Sequence, residues 1–323
     1  MGRILVTGAA GFIGAKTAEF LLRGGHKVVG IDNMNDYYDV SLKKHRLLSL
    51  SAHKDFTFHK VDIEDSKALG RVLSRGSFEA VINLAARAGV RYSLINPHVY
   101  FTTNTIGTLN LLEFCRARGI RKFVLASTSS LYAGQKMPFR EDLPVNTPIS
   151  PYAASKKAAE MTAYTYHFHY GIDTTIVRYF TVYGPAGRPD MSVFRFIKWI
   201  DEGSPIDVFG DGLQARDFTY VDDIAAGTVK ALKKVGFEII NLGGGAKPYT
   251  LNHVIKLIES HLGRKSRRKE FAFPKADIKA TWADISKAKK ILGWQPTVDL
   301  EEGICRTVQW YRNNTAWLKN IKL

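Results

Sequence analysis

Apolar and polar positions follow two alternating periodicities along the first part of the chain. Short apolar runs, typical of buried strands, predict strands over 3–7, 27–31, 56–61, 79–84, 121–127 and 173–179. Apolar residues at helical spacing predict helices between them, over 12–23, 66–73, 98–118 and 152–170. Buried parallel strands are joined by helices that cover both faces of their sheet. The alternation therefore predicts the α/β class, with a Rossmann-type doubly wound parallel sheet.

This alternation stops after about residue 180. Glycine and proline crowd residues 184–212, which indicates loops, and shorter helices are predicted over 221–233, 251–262 and 301–317. We therefore predict two domains. Residues 1–180 form the sheet domain, and residues 181–323 form a smaller C-terminal substrate-binding domain, with the chain free to cross between them.

Composition narrows the class of protein. The 323 residues are 45% hydrophobic and 24% charged, which excludes a disordered chain. No apolar run reaches the length of about 18 residues that a membrane span needs, and the first predicted strand leaves no room for a signal peptide. The two cysteines, Cys115 and Cys305, suit a reducing compartment, so we expect a cytoplasmic location.

The unusual property of the composition is charge. Lys and Arg number 46 against 30 Asp and Glu, a formal net charge of +16. Nucleic acid, acidic membrane surfaces and small anionic ligands are therefore candidate partners. The basic run 264–269 is the strongest feature for nucleic acid, but it lacks interleaved aromatic residues and is typical of a solvated surface. We predict no nucleic-acid partner and no membrane partner.

The turn between the first predicted strand and the first helix carries Gly8, Gly11 and Gly14. These glycines let the backbone turn tightly and approach a pyrophosphate, to which the helix N-terminus offers free N–H groups. Asp32 ends the second strand, about 20 residues further on, where a carboxylate binds the ribose hydroxyls of a dinucleotide. Because an acid at this position repels a 2′-phosphate, NAD is favoured over NADP.

A second group of residues points to acid–base chemistry. Tyr152 and Lys156 lie four positions apart and share one face of a predicted helix. A nearby ammonium favours the phenolate, so Tyr152 is a candidate base near neutral pH. Hydroxyls cluster at 127–130, at the carboxyl end of a predicted strand, where one of them can relay or position a proton. The alternative for the Tyr–Lys pair is the surface of an amphipathic helix.

Taken in order, these segments resemble the extended short-chain dehydrogenase/reductase superfamily. The segments that carry the resemblance are TGAAGFIG at 7–14, Asp32, Ala85 and Ala86, Ser127 to Ser129, and YAASK at 152–156. Four later segments resemble the members that modify nucleotide sugars: RYFTVYGP at 178–185, RPDM at 188–191, RDFTYVDD at 216–223 and WADISKA at 282–288. The stretch DNMNDYYDVSLK at 32–43, together with GRPDM at 187–191, is most similar to UDP-glucuronic acid 4-epimerases.

The resemblance implies an isomerase that interconverts UDP-glucuronate and UDP-galacturonate through a transient 4-keto sugar, without decarboxylation. It also implies tightly bound, recycled NAD and a homodimer formed through helices 98–118 and 152–170. The implied catalytic residues are Tyr152, Lys156 and Thr128. The implied cofactor-binding residues are Gly8, Gly11, Phe12, Ile13, Gly14, Asp32, Asn33, Lys43, Asp62, Ile63, Leu84, Ala85, Ala86, Ser127, Tyr152, Lys156 and Tyr179. The implied substrate-binding residues are Thr128, Ser129, Ser130, Thr181, Arg188 and Arg216.

The choice of sugar leaves alternatives open: a 4-epimerase of UDP-glucose or UDP-N-acetylglucosamine, or a UDP-glucuronate decarboxylase. Ser129 and Ser130 stand where related dehydratases and decarboxylases carry carboxyl groups, which argues against dehydration. A 4-keto glucuronate is a β-keto acid and loses CO₂ readily. We hypothesise that Ser129, Ser130, Thr181 and Arg188 hold its carboxylate where the C–C bond cannot align with the keto π system.

Individual site residues also have alternatives. Arg188 lies in a Gly/Pro loop and could be a solvated arginine, and Arg216 could pair with Asp217 or Asp223 instead of a phosphate. Lys275 is a candidate for a second phosphate contact. Asp62 could equally be a solvated carboxylate. No metal site is predicted, since the histidines at 167 and 169 lie two positions apart on a helix and face different sides.

Overall fold

The computed structural model describes residues 2–74, 76–274 and 277–323. The strands are β1 (Arg3–Thr7), β2 (Lys27–Asp32), β3 (Phe56–Lys60), β4 (Ala80–Asn83), β5 (Lys122–Thr128), β6 (Asp173–Tyr179), β7 (Thr181–Tyr183), β8 (Ile206–Phe209), β9 (Ala215–Arg216), β10 (Phe218–Tyr220), β11 (Phe237–Leu242), β12 (Tyr249–Thr250) and β13 (Arg268–Phe271). The helices are α1 (Phe12–Arg23), α2 (Val40–Ser51), α3 (Ser66–Leu73), α4 (Val90–Ile95), α5 (His98–Tyr100), α6 (Gly107–Arg118), α7 (Pro151–Tyr170), α8 (Ser192–Asp201), α9 (Val221–Lys230), α10 (Leu251–Leu262), α11 (Ser286–Leu292), α12 (Leu300–Asn313) and α13 (Thr315–Leu318).

Seven parallel strands form the central sheet, in the order β11-β6-β5-β4-β1-β2-β3. Helices α1, α2 and α9 pack together, and α3, α6 and α7 form a separate packed group. Alternate residues of β1 enter two different cores, with Ile4 and Val6 in one and Leu5 in the other. This is the predicted doubly wound α/β sheet. Its strand order reverses between β1 and β4, and ligands bind at such a point, beyond the carboxyl ends of the strands.

Most of the predicted elements of the sheet are confirmed, several of them to the residue. The helix predicted over 98–118 is interrupted, because a π-helical stretch, Phe101–Ile106, joins α5 to α6. The prediction missed α2, whose sequence VSLKKHRLLSLS has a weak apolar periodicity, and it missed β11. The helix predicted over 301–317 is divided into α12 and α13 at Asn314.

Residues beyond the sheet build a second core. Helices α8, α10 and α12 enclose it, and its buried side chains include Phe194, Ile197, Val254, Ile258 and Ile304. Strands in this part form short pairs: β10 with β7, β12 with β9, and β13 with β8. Strand β11 returns to the central sheet beside β6, so the chain crosses back after residue 180. The domain boundary at residue 180 stays a prediction.

Helix α7 is the longest element of the described part and carries apolar residues on two faces. Ser150 caps its N-terminus by accepting the N–H of Ala153 at 3.2 Å. Its inner face buries alanines against the sheet, whereas Met161, Tyr164 and Phe168 are exposed on the outside. Of the helices in the described ranges, none is long and apolar enough to cross a membrane.

The turn between β1 and α1 can be built only with glycine at two positions. Gly8 has a φ of +67°, and a Cβ there would lie 2.8 Å from the backbone nitrogen of Ala85. A Cβ on Gly14 would lie 2.0 Å from the carbonyl oxygen of Gly8. Glycine therefore lets the first turn of α1 and the end of β4 approach the loop backbone closely.

We predict that Gly14→Ala abolishes cofactor retention without unfolding the sheet. The new methyl group displaces the Gly8 carbonyl and with it the N–H groups of the turn, at a cost of roughly 1–3 kcal/mol. The NAD content of the purified protein should fall at least about tenfold. Gly70→Ala in α3 is the matched control, since nothing lies within 4 Å of the added Cβ. It should keep its NAD and gain up to ~1 kcal/mol of stability. Equal NAD contents in the two variants would refute this account of the turn.

Candidate active site

One cavity of about 680 Å³ lies at the carboxyl ends of the central strands, where the second core meets the sheet. Its volume is typical of small-molecule sites, which span ~300–1,000 Å³. Every described residue that the sequence analysis assigned to catalysis, cofactor or substrate lines this cavity. The structure therefore brings together residues that lie as far apart in the chain as Gly8 and Arg216. Their individual roles stay predictions, which the geometry below informs.

Asp32 is buried at one end of the cavity and is held by two donors. Its Oδ1 accepts the N–H of Met34 at 2.8 Å and the ammonium of Lys43 at 3.2 Å. Among the described residues no hydrogen bond reaches Oδ2, which is left to accept from a ligand. Asn33 next to it donates to Asp62 at 2.7 Å, so two of the predicted cofactor-binding residues are joined. This end fits a neutral, hydroxyl-bearing ribose.

Thr7 holds the carboxyl end of strand β4, and the sequence analysis did not single this residue out. Its hydroxyl donates to Asn83 at 2.7 Å and accepts the N–H groups of Leu84 and Ala85 at 3.1 and 3.0 Å. These bonds place the 84–86 backbone beside the glycine turn. Its position at the carboxyl end of a buried strand is the signal that could have identified Thr7.

Tyr152 stands at the wall of the cavity and forms a hydrogen bond with Thr128. Thr128 in turn donates to the hydroxyl of Ser130 at 3.1 Å and accepts that residue's N–H at 3.1 Å. Burial holds the pKa of the Tyr152 phenol above its ordinary value, although the Thr128 hydrogen bond and the Arg188 charge act to lower it, so the lowered pKa expected of a base near neutral pH is not found in this structure. The structure thus joins the predicted base to the predicted relay.

Lys156 lies one turn further along α7 and is buried. Its ammonium donates to the carbonyl of Ala126 at 2.8 Å. Burial lowers its pKa to about 8, and the carboxylate of Glu160 acts in the opposite direction. The groups that lower the Tyr152 pKa in this structure are Thr128 and Arg188, so the effect expected of Lys156 on the phenol stays a prediction.

A buried polar network lies directly behind these residues. Glu160 forms two hydrogen bonds with the guanidinium of Arg178, at 2.9 and 2.7 Å. Ser127 donates to the same carboxylate at 2.6 Å, so its hydroxyl is already engaged on the protein side. Arg178 also donates to the Tyr132 hydroxyl at 2.8 Å, which donates to Asn241 of β11 at 2.8 Å. The network joins α7, β5, β6 and β11 at the floor of the site.

Arg188 reaches the cavity from the loop after β7 and is not a solvated arginine. Its guanidinium donates to Asp190 at 3.0 and 2.6 Å and to the carbonyl of Ala88 at 3.1 Å. It also lies over the rings of Tyr37 and Tyr38. Burial lowers the pKa of Arg188, but the Asp190 carboxylate outweighs it and holds the pKa above its ordinary value. Arg188 is therefore a cation, and its Nε and Nη2 already donate to Asp190.

Arg216 is not paired with either acid considered for it. Its guanidinium donates to the carbonyls of Ala215 at 2.9 Å and Lys279 at 3.4 Å. Asp217 instead accepts the N–H groups of Gly244, Gly245 and Ala283, and burial raises its pKa to about 6. Burial also lowers the pKa of Arg216. The Arg216 guanidinium is partly buried and is held by carbonyls, which suits it to an anionic ligand.

Two further arginines, Arg91 and Arg195, line the same cavity as Arg216. Arg91 lies 4.0 Å from the ring centre of Phe209 and pairs with Asp277 at 2.7 Å. Arg195 lies over Trp199, and its Nε is buried without a hydrogen-bond partner among the described residues. Neither arginine belongs to a motif, because each comes from an element whose sequence carries no special signal. Lys275, the other phosphate candidate, lies outside the described residues.

Most basic side chains of the run 264–269 make contacts within the protein. Arg264 and Arg267 donate to the carbonyls of Asp201 and Gly203, and Arg268 donates to Asn252 at 2.7 Å. Part of the run belongs to strand β13, which pairs with β8. These contacts account for the run structurally, and the absence of a nucleic-acid partner stays a prediction.

The geometry agrees with comparisons to known proteins. The sequence profile of the NAD dependent epimerase/dehydratase family matches residues 4–243. The chain is 58% identical to the UDP-glucuronate 4-epimerase of Thermodesulfobacterium geofontis (strain OPF15), over 100% of both proteins.

Solved structures of the same family superpose closely. The UDP-glucuronic acid 4-epimerase of Bacillus cereus, in complex with UDP-glucuronic acid and NAD, has a TM-score of 0.90 at 38% identity and covers 97% of this chain and 99% of its own. The UDP-glucose 4-epimerase of Thermotoga maritima, with UDP-glucose, has a TM-score of 0.88 at 33% identity, with the same coverage of 97% and 99%. The profile spans well over half of the chain and these relatives match it almost end to end. The chain therefore belongs to the NAD dependent epimerase/dehydratase family, within the short-chain dehydrogenase/reductase superfamily that its motifs indicated.

Proposed function

We propose that this chain is an NAD-dependent UDP-glucuronate 4-epimerase, an isomerase that interconverts UDP-glucuronate and UDP-galacturonate and keeps the sugar carboxylate. The observation that carries the proposal is the placement of Arg188. Arg188 and Tyr152 line the same cavity as Gly8 and Asp32. The Arg188 charge is near enough to the phenol of Tyr152 to act on its pKa in the lowering direction. A sugar whose 4-hydroxyl meets Tyr152 thus has a cation within reach of its C6 carboxylate.

The residues at the first end of the cavity fit NAD. The turn at Gly8 and Gly14 has no room for a Cβ at either position. Asp32 is buried, and among the described residues one of its carboxylate oxygens has no hydrogen-bond donor. Asp32 would hold the ribose hydroxyls, and the glycine turn would hold the pyrophosphate. Bound between these residues, NAD would supply reversible hydride transfer at C4 of the sugar, so that the hydride could return to the opposite face.

The chain's own residues handle the proton at the sugar oxygen. Thr128 lies in hydrogen-bond contact with Tyr152 and ties it to Ser130, so a 4-hydroxyl placed there loses its proton to the phenolate along a short path. Lys156 and Arg188 are cations that line the same cavity as the Tyr152 phenol. The Lys156 ammonium has a pKa of about 8 and is therefore mostly charged at pH 7.

Hydroxyl groups and Arg188 are placed to hold the carboxylate. Ser129, Ser130 and Thr181 line the same cavity, and no carboxyl group replaces either serine. We infer that these donors fix the C5–C6 bond away from the π system of the 4-keto sugar. The diphosphate would then lie towards Arg216, whose hydrogen bonds go to carbonyls, and Arg195, whose Nε is a buried donor without a hydrogen-bond partner among the described residues and whose Nη2 lies 3.9 Å from Asp207.

A 4-epimerase of neutral UDP-hexoses is the second candidate, and one observation favours it. Asp190 already accepts two hydrogen bonds from the Arg188 fork, so Arg188 is satisfied without a sugar carboxylate. The two functions differ in whether UDP-glucuronate or UDP-glucose is the better substrate.

We also propose that the protein works in the cytoplasm as a homodimer. Helix α7 and the segment before α6 expose neighbouring apolar side chains: Phe101, Ile106, Met161, Tyr164 and Phe168. These two segments pack on each other, and we propose that their exposed residues form one two-helix face. A second copy, related by a two-fold axis, would cover that face with the same residues.

Turnover without added cofactor tests the proposed function. The purified protein should convert UDP-glucuronate to UDP-galacturonate with no release of CO₂, and should act on it far better than on UDP-glucose, as followed by NMR. Tyr152→Phe is the matched control, and it should lower kcat by about 10²–10⁴-fold while NAD stays bound. Preference for UDP-glucose would favour the second candidate, and no turnover of any UDP-hexuronate would contradict the proposal.

The pH profile tests the role of Arg188. A positive charge beside the phenol stabilises the phenolate, so removing it raises the Tyr152 pKa. Arg188→Gln should move the acid limb of kcat to higher pH by about one unit, whereas Arg188→Lys should leave it in place. The Gln variant and Ser130→Glu should also release more UDP-4-keto-pentose than wild type. An unshifted acid limb with unchanged products would show that Arg188 does not act on the sugar end.

The dimer proposal is checked by light scattering. Wild type should have twice the mass of one chain. Phe168→Glu places a charge on a side chain that is 70% exposed on α7, and it should yield a monomer. Leu48→Glu alters a 71% exposed side chain on α2 and should remain dimeric. A monomeric wild type, or a dimeric Phe168→Glu, would disprove this interface.

A further inference from the structure

Arg46 is a buried cation that none of the motifs explains. It lies on α2, and only 6% of its surface is exposed. Its Nη1 donates to the carbonyl of Ala10 in the glycine turn at 3.1 Å. Its Nε and Nη2 donate to the carbonyl of Ala186 at 3.0 and 2.7 Å, and Nη2 also reaches that of Gly187 at 3.3 Å. One side chain therefore joins the cofactor turn to the loop that carries Arg188.

The carbonyls that Arg46 holds belong to a constrained backbone. Ala186 has a φ of +54°, in the left-handed region that residues with a Cβ rarely adopt. Such a conformation persists where the surroundings hold it, and here two hydrogen bonds from Arg46 reach its carbonyl. Since Arg188 follows two residues later, the direction in which its guanidinium enters the cavity depends on this turn.

Aromatic contacts extend the same link to both ends of the cavity. Arg46 donates to the hydroxyl of Tyr38 at 2.7 Å. The ring of Tyr38 lies 5.5 Å from the Lys43 ammonium, which pairs with Asp32, and 5.9 Å from the Arg188 guanidinium. Tyr38 is thus shared by the cation at the ribose end and the cation at the sugar end.

We propose that Arg46 is a positioning residue that sets the distance and orientation between the cofactor turn and the Arg188 loop. The planar guanidinium suits this role, because its separate nitrogens on Arg46 reach three backbone carbonyls in two loops, whereas all donors of a lysine lie on one nitrogen. Through it, the Arg188 guanidinium stays in register with the sugar carboxylate. This inference rests on the proposed function for the identity of the sugar.

Loss of that register has a chemical consequence. The 4-keto sugar can lose CO₂ when its C5–C6 bond breaks with the electron pair passing to the keto group as an enolate, which then takes a proton at C5. Cleavage requires the C5–C6 bond to lie parallel to the π orbitals of the keto group. When Arg188 holds the carboxylate so that this bond lies near the plane of the keto group, the bond does not break. If the Arg188 loop shifts, more turnovers should end as UDP-4-keto-pentose and CO₂, with the C4 hydride left on the bound cofactor as NADH.

The test compares three variants of the holoenzyme: Arg46→Met, Arg46→Lys and the control Lys122→Met. Lys122 is also a buried cation that donates to a backbone carbonyl, that of Lys233 at 2.8 Å, but it lies at the opposite end of β5 from the site. Each variant is assayed for folded fraction, retained NAD, affinity for UDP and for UDP-glucuronate, kcat, and the share of UDP-4-keto-pentose in the product.

Arg46→Met should bind UDP-glucuronate at least about tenfold more weakly while its affinity for UDP, which lacks the carboxylate, changes much less. It should also retain less NAD and release more UDP-4-keto-pentose. Arg46→Lys should recover only part of each property. Lys122→Met should lose stability, yet keep wild-type affinities and products per folded molecule.

Two results would overturn the inference. One is an Arg46→Met protein that matches Lys122→Met in NAD content, in the ratio of the two affinities and in products. The other is full recovery in Arg46→Lys, which would show that charge alone suffices. A wild type that does not turn over UDP-glucuronate would instead contradict the proposed function, while NAD retention would still report on the Arg46 link to the glycine turn.

Discussion

A buried carboxylate–guanidinium pair holds together the elements from which the site is built. Glu160 on α7 and Arg178 on β6 are each at most 2% exposed, and two hydrogen bonds join them. Removing one member of such a pair leaves an uncompensated buried charge and typically costs about 3–5 kcal/mol. Because Lys156 lies one turn before Glu160 and Tyr152 another turn earlier, this pair fixes the helix that carries the acid–base residues. The polar partners Ser127 and Asn241 extend the constraint to β5 and β11.

Charge is distributed in the site in a way that the composition alone could not show. The cations that line the cavity are Lys43, Arg87, Arg91, Lys156, Arg188, Arg195 and Arg216, and the acids are Asp32, Asp62, Asp190, Asp207 and Asp277. A sugar nucleotide that carries a diphosphate and a carboxylate, beside a dinucleotide, fits this excess of cations. The nearly balanced set of acids keeps individual arginines oriented, as Asp190 does for Arg188. The remaining surplus of the +16 charge lies elsewhere on the surface, in part in the run 264–269.

The sequence was informative where a short segment by itself determines local geometry. Gly8 and Gly14 could be recognised because their spacing reflects steric limits within one turn, and Tyr152 and Lys156 because helical spacing sets their common face. Contacts between distant segments were not predictable. Arg46 meets Ala186 across 140 positions, and its helix has a weak apolar pattern. Strand β11 was missed because its place beside β6 follows from chain reversal through the second core and not from its own residues.

The central claim is that one cavity removes hydrogen from C4 of UDP-glucuronate and returns it to the same carbon on the other face. The most direct measurement uses UDP-glucuronate with deuterium at C4, incubated with the purified protein in ordinary water and followed by NMR. We expect all of the UDP-galacturonate to carry deuterium at C4 and the carboxylate to be retained. Loss of the label to water, or inversion at a different carbon, would contradict the account.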